Sequence, residues 1–276
     1  MTQPQLESIR FEGPHGTVNA HLARPSGQGP FTAVLLLQEG LGVTQHLLRL
    51  AQRFAHAGYL TLVPDLYSHE PAHKALSEAD VLTGLPLARQ DDPEAAIAKL
   101  PAEQQAGAKR VLEWWKTRNP ATYFPDAQAA LQLLKRHQDV RPDAIASLGF
   151  SLGGGLSAQL AAAGEALAAG VIYYGQGPAA DRLAAIRYPL LGHYAENDPA
   201  ITPGVPALQN ALRAAGKQFT AHVYPGTQHG FFSDSRPVYQ REAAELAHAR
   251  TLEFLEQHLV RGGRREQQAA ATSASA

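Results

Sequence analysis

Apolar residues along the chain fall into short runs and helical stripes that follow one another in a regular order. Two short segments, Leu6 to Phe11 and Val18 to Ala23, flank Gly13-Pro14-His15-Gly16 and predict an antiparallel hairpin at a sheet edge. Phe31 to Leu37 is a nearly continuous apolar run, too short for an ordinary helix, and predicts a strand covered on both faces. Thr44 is placed to cap a helix whose apolar positions Leu47, Leu48, Leu50, Ala51, Phe54 and Ala55 keep helical spacing, with Gly58 at its end. Leu60 to Val63 predicts the next strand, closed by Pro64-Asp65 because proline cannot donate to a central ladder.

The rhythm resumes further on, with a helix from Asp126 to His137, a strand Ala144 to Leu148, a helix from Gly153 and strands Gly170 to Tyr174 and Leu190 to Tyr194. A helix Val205 to Ala215, a strand Phe219 to Tyr224 and a long helix Tyr239 to Leu259 complete it. This alternation predicts an α/β fold, a mainly parallel sheet with helices on both faces. Between Tyr67 and Pro120 the order breaks, where Pro71, Pro86, Pro93 and Pro101 separate short pieces before a helix holding Trp114 and Trp115. Residues 68–120 therefore read as an excursion, either a cap over the carboxyl end of the sheet or a long irregular crossover. The domain spans 1–260, and the Gln- and Ala-rich tail 261–276 reads as disordered.

At 276 residues the chain can bury one sizeable core, and 45% hydrophobic with 18% charged residues is a globular balance. A formal charge of -1 gives no electrostatic reason to expect nucleic acid or a membrane surface, so the expected partner is a small molecule. Oligomeric state is not legible. The chain has no cysteine, which excludes disulfides, thiolate catalysis and sulfur-rich metal sites. His46 and His56, or His69 and His73, lack an accompanying ligand set, so neither metal nor cofactor is expected. No secretory signal or membrane-length apolar segment is present, and the default location is the cytoplasm.

Gly149-Phe150-Ser151-Leu152-Gly153 has the form G-x-S-x-G, a weak signal alone. It gains force from its place between an apolar strand and a small-residue helix, the context in which a strained serine stands above a sheet. Serine is a poor nucleophile at its own pKa and needs a base and an orienting carboxylate, in the chain order Ser, acid, His for this kind of turn. His229, in the glycine-flanked loop Pro225 to Phe231, is the candidate base. His193 and His222 lie within strands and read as packed or surface residues. Asp198 is preferred as the acid over Glu196, because a turn ending in Asp198-Pro199 can hold a carboxylate fixed. Asp181 and Asp234 read as solvated loop residues. An oxyanion needs two donors, expected from the amides of Leu152 and Gly40, the latter because glycine adopts unusual backbone angles.

From about Val34 to Leu255 the chain resembles the dienelactone hydrolase family, a branch of the α/β-hydrolases. The resemblance is carried by Gln38-Glu39-Gly40-Leu41-Gly42-Val43, Gly58-Tyr59, Val63-Pro64-Asp65-Leu66-Tyr67, Leu148 to Gly154, Tyr173-Tyr174-Gly175, Asn197-Asp198, His229-Gly230-Phe231 and Arg250 to Leu255. It implies an α/β-hydrolase fold, nucleophile Ser151, acid Asp198, base His229, oxyanion amides at Leu152 and Gly40, and an active-site acid at Glu39. The best-known members carry cysteine where this chain has Ser151. They also hold a substrate carboxylate through a serine just after the histidine and an arginine a few residues on, places occupied here by Gly230 and Ser233. That clamp is therefore not carried over; Arg236 is open to substituting for its arginine, but reads first as an exposed loop arginine. Glu39 reads as a relic, a water-positioning group or half of an ion pair.

These features point to hydrolysis of a carboxylic ester or lactone through an acyl-enzyme. A peptidase or acyltransferase could use the same residues, and a binding protein could keep the fold without catalysis.

Overall fold

The computed structural model describes residues 4–261, so the tail beyond Arg261 lies outside the described residues. Its eight strands form one sheet: β1 (Gln5–Gly13), β2 (Gly16–Arg24), β3 (Phe31–Leu37), β4 (Tyr59–Pro64), β5 (Val140–Phe150), β6 (Ala169–Tyr173), β7 (Leu190–Asn197) and β8 (Phe219–Gln228). The spatial order is β1-β2-β4-β3-β5-β6-β7-β8, antiparallel at β1-β2 and β2-β4 and parallel from β4 to β8. The chain leaves β3 toward β4 on one side and returns to β5 on the other. The crevice at the carboxyl ends of β3 and β5 is therefore the topological switch point where open α/β sheets gather ligands.

Alternation along β3 shows why the run is apolar throughout. Val34 and Leu36 enter a core with Leu50, Ala51 and Phe54 of helix α1 (Gln45–His56), whereas Ala33, Leu35 and Leu37 pack with Leu131 and Leu134 of another helix. That second helix lies on the opposite face, in the segment that follows the excursion. Both sets are fully buried.

Four helices fill the excursion: α2 (Pro71–Lys74), α3 (Glu78–Ala88), α4 (Pro93–Ala98) and α5 (Ala102–Thr117). Pro71 and Pro93 occupy first-turn positions and Pro101 caps α5, so these prolines start helices. Pro86 corrects the expectation of a separator, because it lies inside α3. Helix α6 (Tyr123–Arg136) begins three residues before Asp126, and α7 (Leu152–Ala162), α8 (Val205–Ala214) and α9 (Arg241–Leu255) follow, α9 passing into a π-turn Glu256–Arg261. No helix among the described residues is long and apolar enough to cross a membrane.

Candidate active site

Ser151 stands at the joint of β5 and α7 with φ 52° and ψ -107°, a left-handed conformation that costs a non-glycine residue about 1–3 kcal/mol. The surroundings over-determine it. The Ser151 amide donates to the Tyr173 carbonyl at 2.9 Å, and the Gly153 amide to the Gln38 carbonyl at 3.0 Å. Glycines flank it for want of space: a Cβ at Gly149 would lie 2.1 Å from the Gly153 carbonyl oxygen, and one at Gly153 would lie 2.4 Å from that of Leu37.

The Ser151 hydroxyl lies 2.9 Å from His229 Nε2, and His229 Nδ1 lies 2.6 Å from Asp198 Oδ2. With Nδ1–H donating to the carboxylate, Nε2 keeps its lone pair for the serine proton. β7 runs three residues further than the sequence suggests, so Asp198 is the first residue beyond it, buried, with its carbonyl accepting the Ile201 and Thr202 amides at 3.3 and 3.0 Å. Glu196 is exposed and accepts the Gly226 amide at 2.8 Å, bracing the loop that leads to His229.

Four other histidines are engaged elsewhere. His193 is fully buried between the Tyr224 hydroxyl at 2.8 Å and Thr251 Oγ1 at 3.0 Å, and burial pushes its pKa well below the usual imidazole value. His222 stacks on it at 5.9 Å. His46 Nδ1 lies 2.8 Å from Asp234 Oδ1, and His69 Nε2 lies 3.2 Å from Asp126 Oδ2. No group of three or more metal-ligating side chains occurs among the described residues.

Leu152 is the first residue of α7, where an amide has no intrahelical acceptor, and Gly40 lies on the loop after β3. The backbone reason expected for Gly40 is corrected: the left-handed glycine of this loop is Gly42, at φ 87°. Gly40 is constrained by space, since a Cβ there would approach Leu85 Cδ2 to 3.2 Å and Arg89 Nη2 to 3.4 Å. Gly40, Ser151, Leu152, Asp198 and His229 line one cavity of about 510 Å³. Leu82, Leu85, Pro86 and Arg89, from α3 and its C-terminal cap, complete its wall, so the excursion lies over the crevice.

The reading of Arg236 as an exposed loop residue is overturned. Its side chain is only 17% exposed, and its Nε and Nη2 donate to Glu39 Oε2 at 3.0 and 2.7 Å. Burial alone would lower the arginine pKa, but the Glu39 charge and hydrogen bonds outweigh it and the net direction is upward. Among the readings of Glu39, the structure has it as half of an ion pair. Tyr174 is a site residue that sequence reasoning passed over. It has φ 36°, its ring lies 5.0 Å from that of His229, and its buried hydroxyl has no hydrogen-bond partner. Its quoted motif, Tyr173-Tyr174-Gly175, was the available signal.

Residues 18–259 match the profile of the dienelactone hydrolase family. A protein of Saccharolobus solfataricus, provisionally named a carboxymethylenebutenolidase, is 30% identical over 90% of this chain and 97% of its own length. One of the same provisional name from Escherichia coli strain K12 is 29% identical over 87% of this chain and 82% of its own. A crystal structure from Klebsiella pneumoniae, provisionally titled a dienelactone hydrolase, superposes with TM-score 0.69 at 25% identity, covering 92% of this chain and 99% of that one. With the matched segment running from β2 past the end of α9, the chain belongs to the dienelactone hydrolase family.

Proposed function

We propose that this member of a hydrolase family cleaves a carboxylic ester or lactone through an acyl-enzyme on Ser151. The observation that carries the reading is the continuous relay from the Ser151 hydroxyl through His229 to Asp198, at 2.9 and 2.6 Å, opening into one cavity. Ser151 Oγ attacks the carbonyl carbon while His229 Nε2 takes its proton, and Asp198 stabilises the imidazolium. The carbonyl oxygen becomes an oxyanion held by the amides of Leu152 and Gly40. His229 returns the proton to the leaving alkoxide, and a water activated by the same nitrogen then releases the acid. Serine stands in for the thiol of the best-known family members, and His229 alone suffices to activate it.

The excursion serves as a cap, its α3 side chains giving the substrate an apolar wall. Arg89 stands at the cavity rim, which favours a substrate carrying a carboxylate, while the Arg236 charge is matched by Glu39. The test is mass spectrometry after exposure to a fluorophosphonate, together with a panel of esters and lactones. Rapid labelling at Ser151 and turnover abolished in Ser151→Ala are expected, and equal turnover by the variant would refute the reading.

A further inference from the structure

The loop Glu39 to Gly42 is gripped from two sides. On the cavity side Leu85 and Arg89 of the cap leave no room for a side chain at Gly40, since a Cβ there would meet them at 3.2 and 3.4 Å. From beneath, the Tyr67 hydroxyl donates to the Gly40 carbonyl at 3.2 Å in a buried hydrogen bond. The His73 ring lies so close to Gly42 that a Cβ there would approach its Cε1 to 2.8 Å. Gln38 ties the same segment to the serine turn and to the chain beyond β4, its carbonyl accepting the Gly153 amide and its Oε1 the Leu66 amide at 3.1 Å.

Tyr67 belongs to an aromatic cluster that reaches into the cap. Its ring centroid lies 4.4 Å from that of His73, 5.2 Å from Trp114 of α5 and 5.4 Å from Tyr123 of α6. Glu70, 6% exposed, closes the cluster, its carboxylate accepting from Trp114 Nε1, the Tyr123 hydroxyl and the Asn119 amide. A buried carboxylate is tolerated only when such donors satisfy it, so Glu70 fixes the seat of α5 against the body of the protein.

A phenylalanine would fill the Tyr67 site equally well, which leaves the hydroxyl to be explained by its partner. Gly40 has no Cβ and is among the least restrained residues a backbone can contain. An oxyanion donor works only if it is held close to the position the charge will take. The peptide that carries the Gly40 N–H is anchored at its Glu39 carbonyl, which accepts the Gly42 amide at 3.0 Å, and Tyr67 anchors the next peptide at the Gly40 carbonyl, so Gly40 sits between two held planes.

We propose that Tyr67 is a positioning residue for the oxyanion loop, and that its grip on Gly40 depends on α5 being seated by Glu70. The proposal rests on the reading of Gly40 as an oxyanion donor. Tyr67→Phe deletes one hydroxyl and keeps the ring. With 4-nitrophenyl acetate it is expected to lower kcat about tenfold, less than the loss of a whole donor, while KM stays within about twofold. Affinity for an alkyl trifluoromethyl ketone, whose adduct carries the oxyanion, should fall by the factor seen in kcat/KM. Affinity for the matching methyl ketone should not move. Trp114→Phe and the isosteric Glu70→Gln should give the same signature, and each combined with Tyr67→Phe should be no worse than Tyr67→Phe alone. A Tyr67→Phe variant with kcat within about twofold of the parent, or with lost kcat and unchanged trifluoromethyl ketone affinity, overturns the positioning role. Multiplicative losses in both double variants overturn the link to the cap. Failure of the underlying reading shows separately, as a parent enzyme whose turnover survives Ser151→Ala.

Discussion

Replacing Glu39 by glutamine separates the structural from the chemical roles open to that residue. The change leaves one acceptor oxygen facing Arg236 but removes the charge from a pair whose side chains are 6% and 17% exposed. Breaking a buried pair outright costs about 3–5 kcal/mol, and the retained amide oxygen should reduce this to about 2 kcal/mol. A domain of this size loses about 2–4 °C in Tm per kcal/mol, so a fall of about 4–8 °C is expected. Activity should respond less. If His229 activates Ser151 unaided, kcat changes by less than about tenfold, or about 1.4 kcal/mol of barrier. Single-turnover kinetics on an activated ester separate acylation from deacylation, and calorimetry reads the stability loss independently. A loss above about a hundredfold in either step, with Ser151 labelling intact and Tm unchanged, would refute this reasoning and place Glu39 among the reacting groups.

His229→Ala should be about as damaging as Ser151→Ala, and Asp198→Asn somewhat less so; if Glu196→Gln proves more harmful than Asp198→Asn, the acid has been misassigned. A base must be unprotonated to accept the serine proton, so the rate should rise with pH, and a flat profile from pH 5 to 8 would argue against a histidine base. Burial holds the His73 and His248 pKa values down to about 4, from about 6.5 in the unfolded chain. Below pH 6.5 the unfolded chain binds protons that the folded chain refuses, so stability should fall from there to about pH 4, on the order of 3 kcal/mol per histidine. Urea midpoints should show this, and His248→Gln should flatten the slope; an unaltered slope would refute it. Arg89→Gln should raise KM for an ester bearing a free carboxylate while leaving its neutral methyl ester unaffected, and equal effects on both would remove Arg89 from substrate recognition.

The elements whose signals are local were legible in the sequence. β3 matches its apolar run residue for residue, and Thr44 caps α1 by accepting the Leu47 amide, as its position implied. β5 extends further back than its apolar core because a register shift between Phe31 and Ala33 lets Val140 pair across Arg141-Pro142-Asp143. The excursion was harder to read because proline opens helices as readily as it separates them, and tertiary packing decided at Pro86. Arg236 was misread for a physical reason: its partner lies 197 residues away, and no periodicity or turn chemistry near position 236 records that distance. The placing of Tyr67 under Gly40 is hidden in the same way, since an apolar ring in a strand's exit looks like core until its hydroxyl has an address.

Ser151, Asp198, His229 and the Gly40 loop arrive from four strands of a single sheet, whereas Leu82, Leu85, Pro86 and Arg89 all come from one short stretch of chain. Heredity can therefore act on the two halves of the site at different speeds. A change in the reacting groups must be accommodated by a framework distributed over the whole gene. The wall that α3 and its cap add over the site is encoded in one uninterrupted passage, open to exchange by a single recombination between β4 and α6. Tyr123 and the Gly40 loop stay behind in such an exchange, so a new passage lacking counterparts of Glu70, Trp114 and Tyr67 would, on the roles proposed above, alter the substrates admitted and slacken the oxyanion loop.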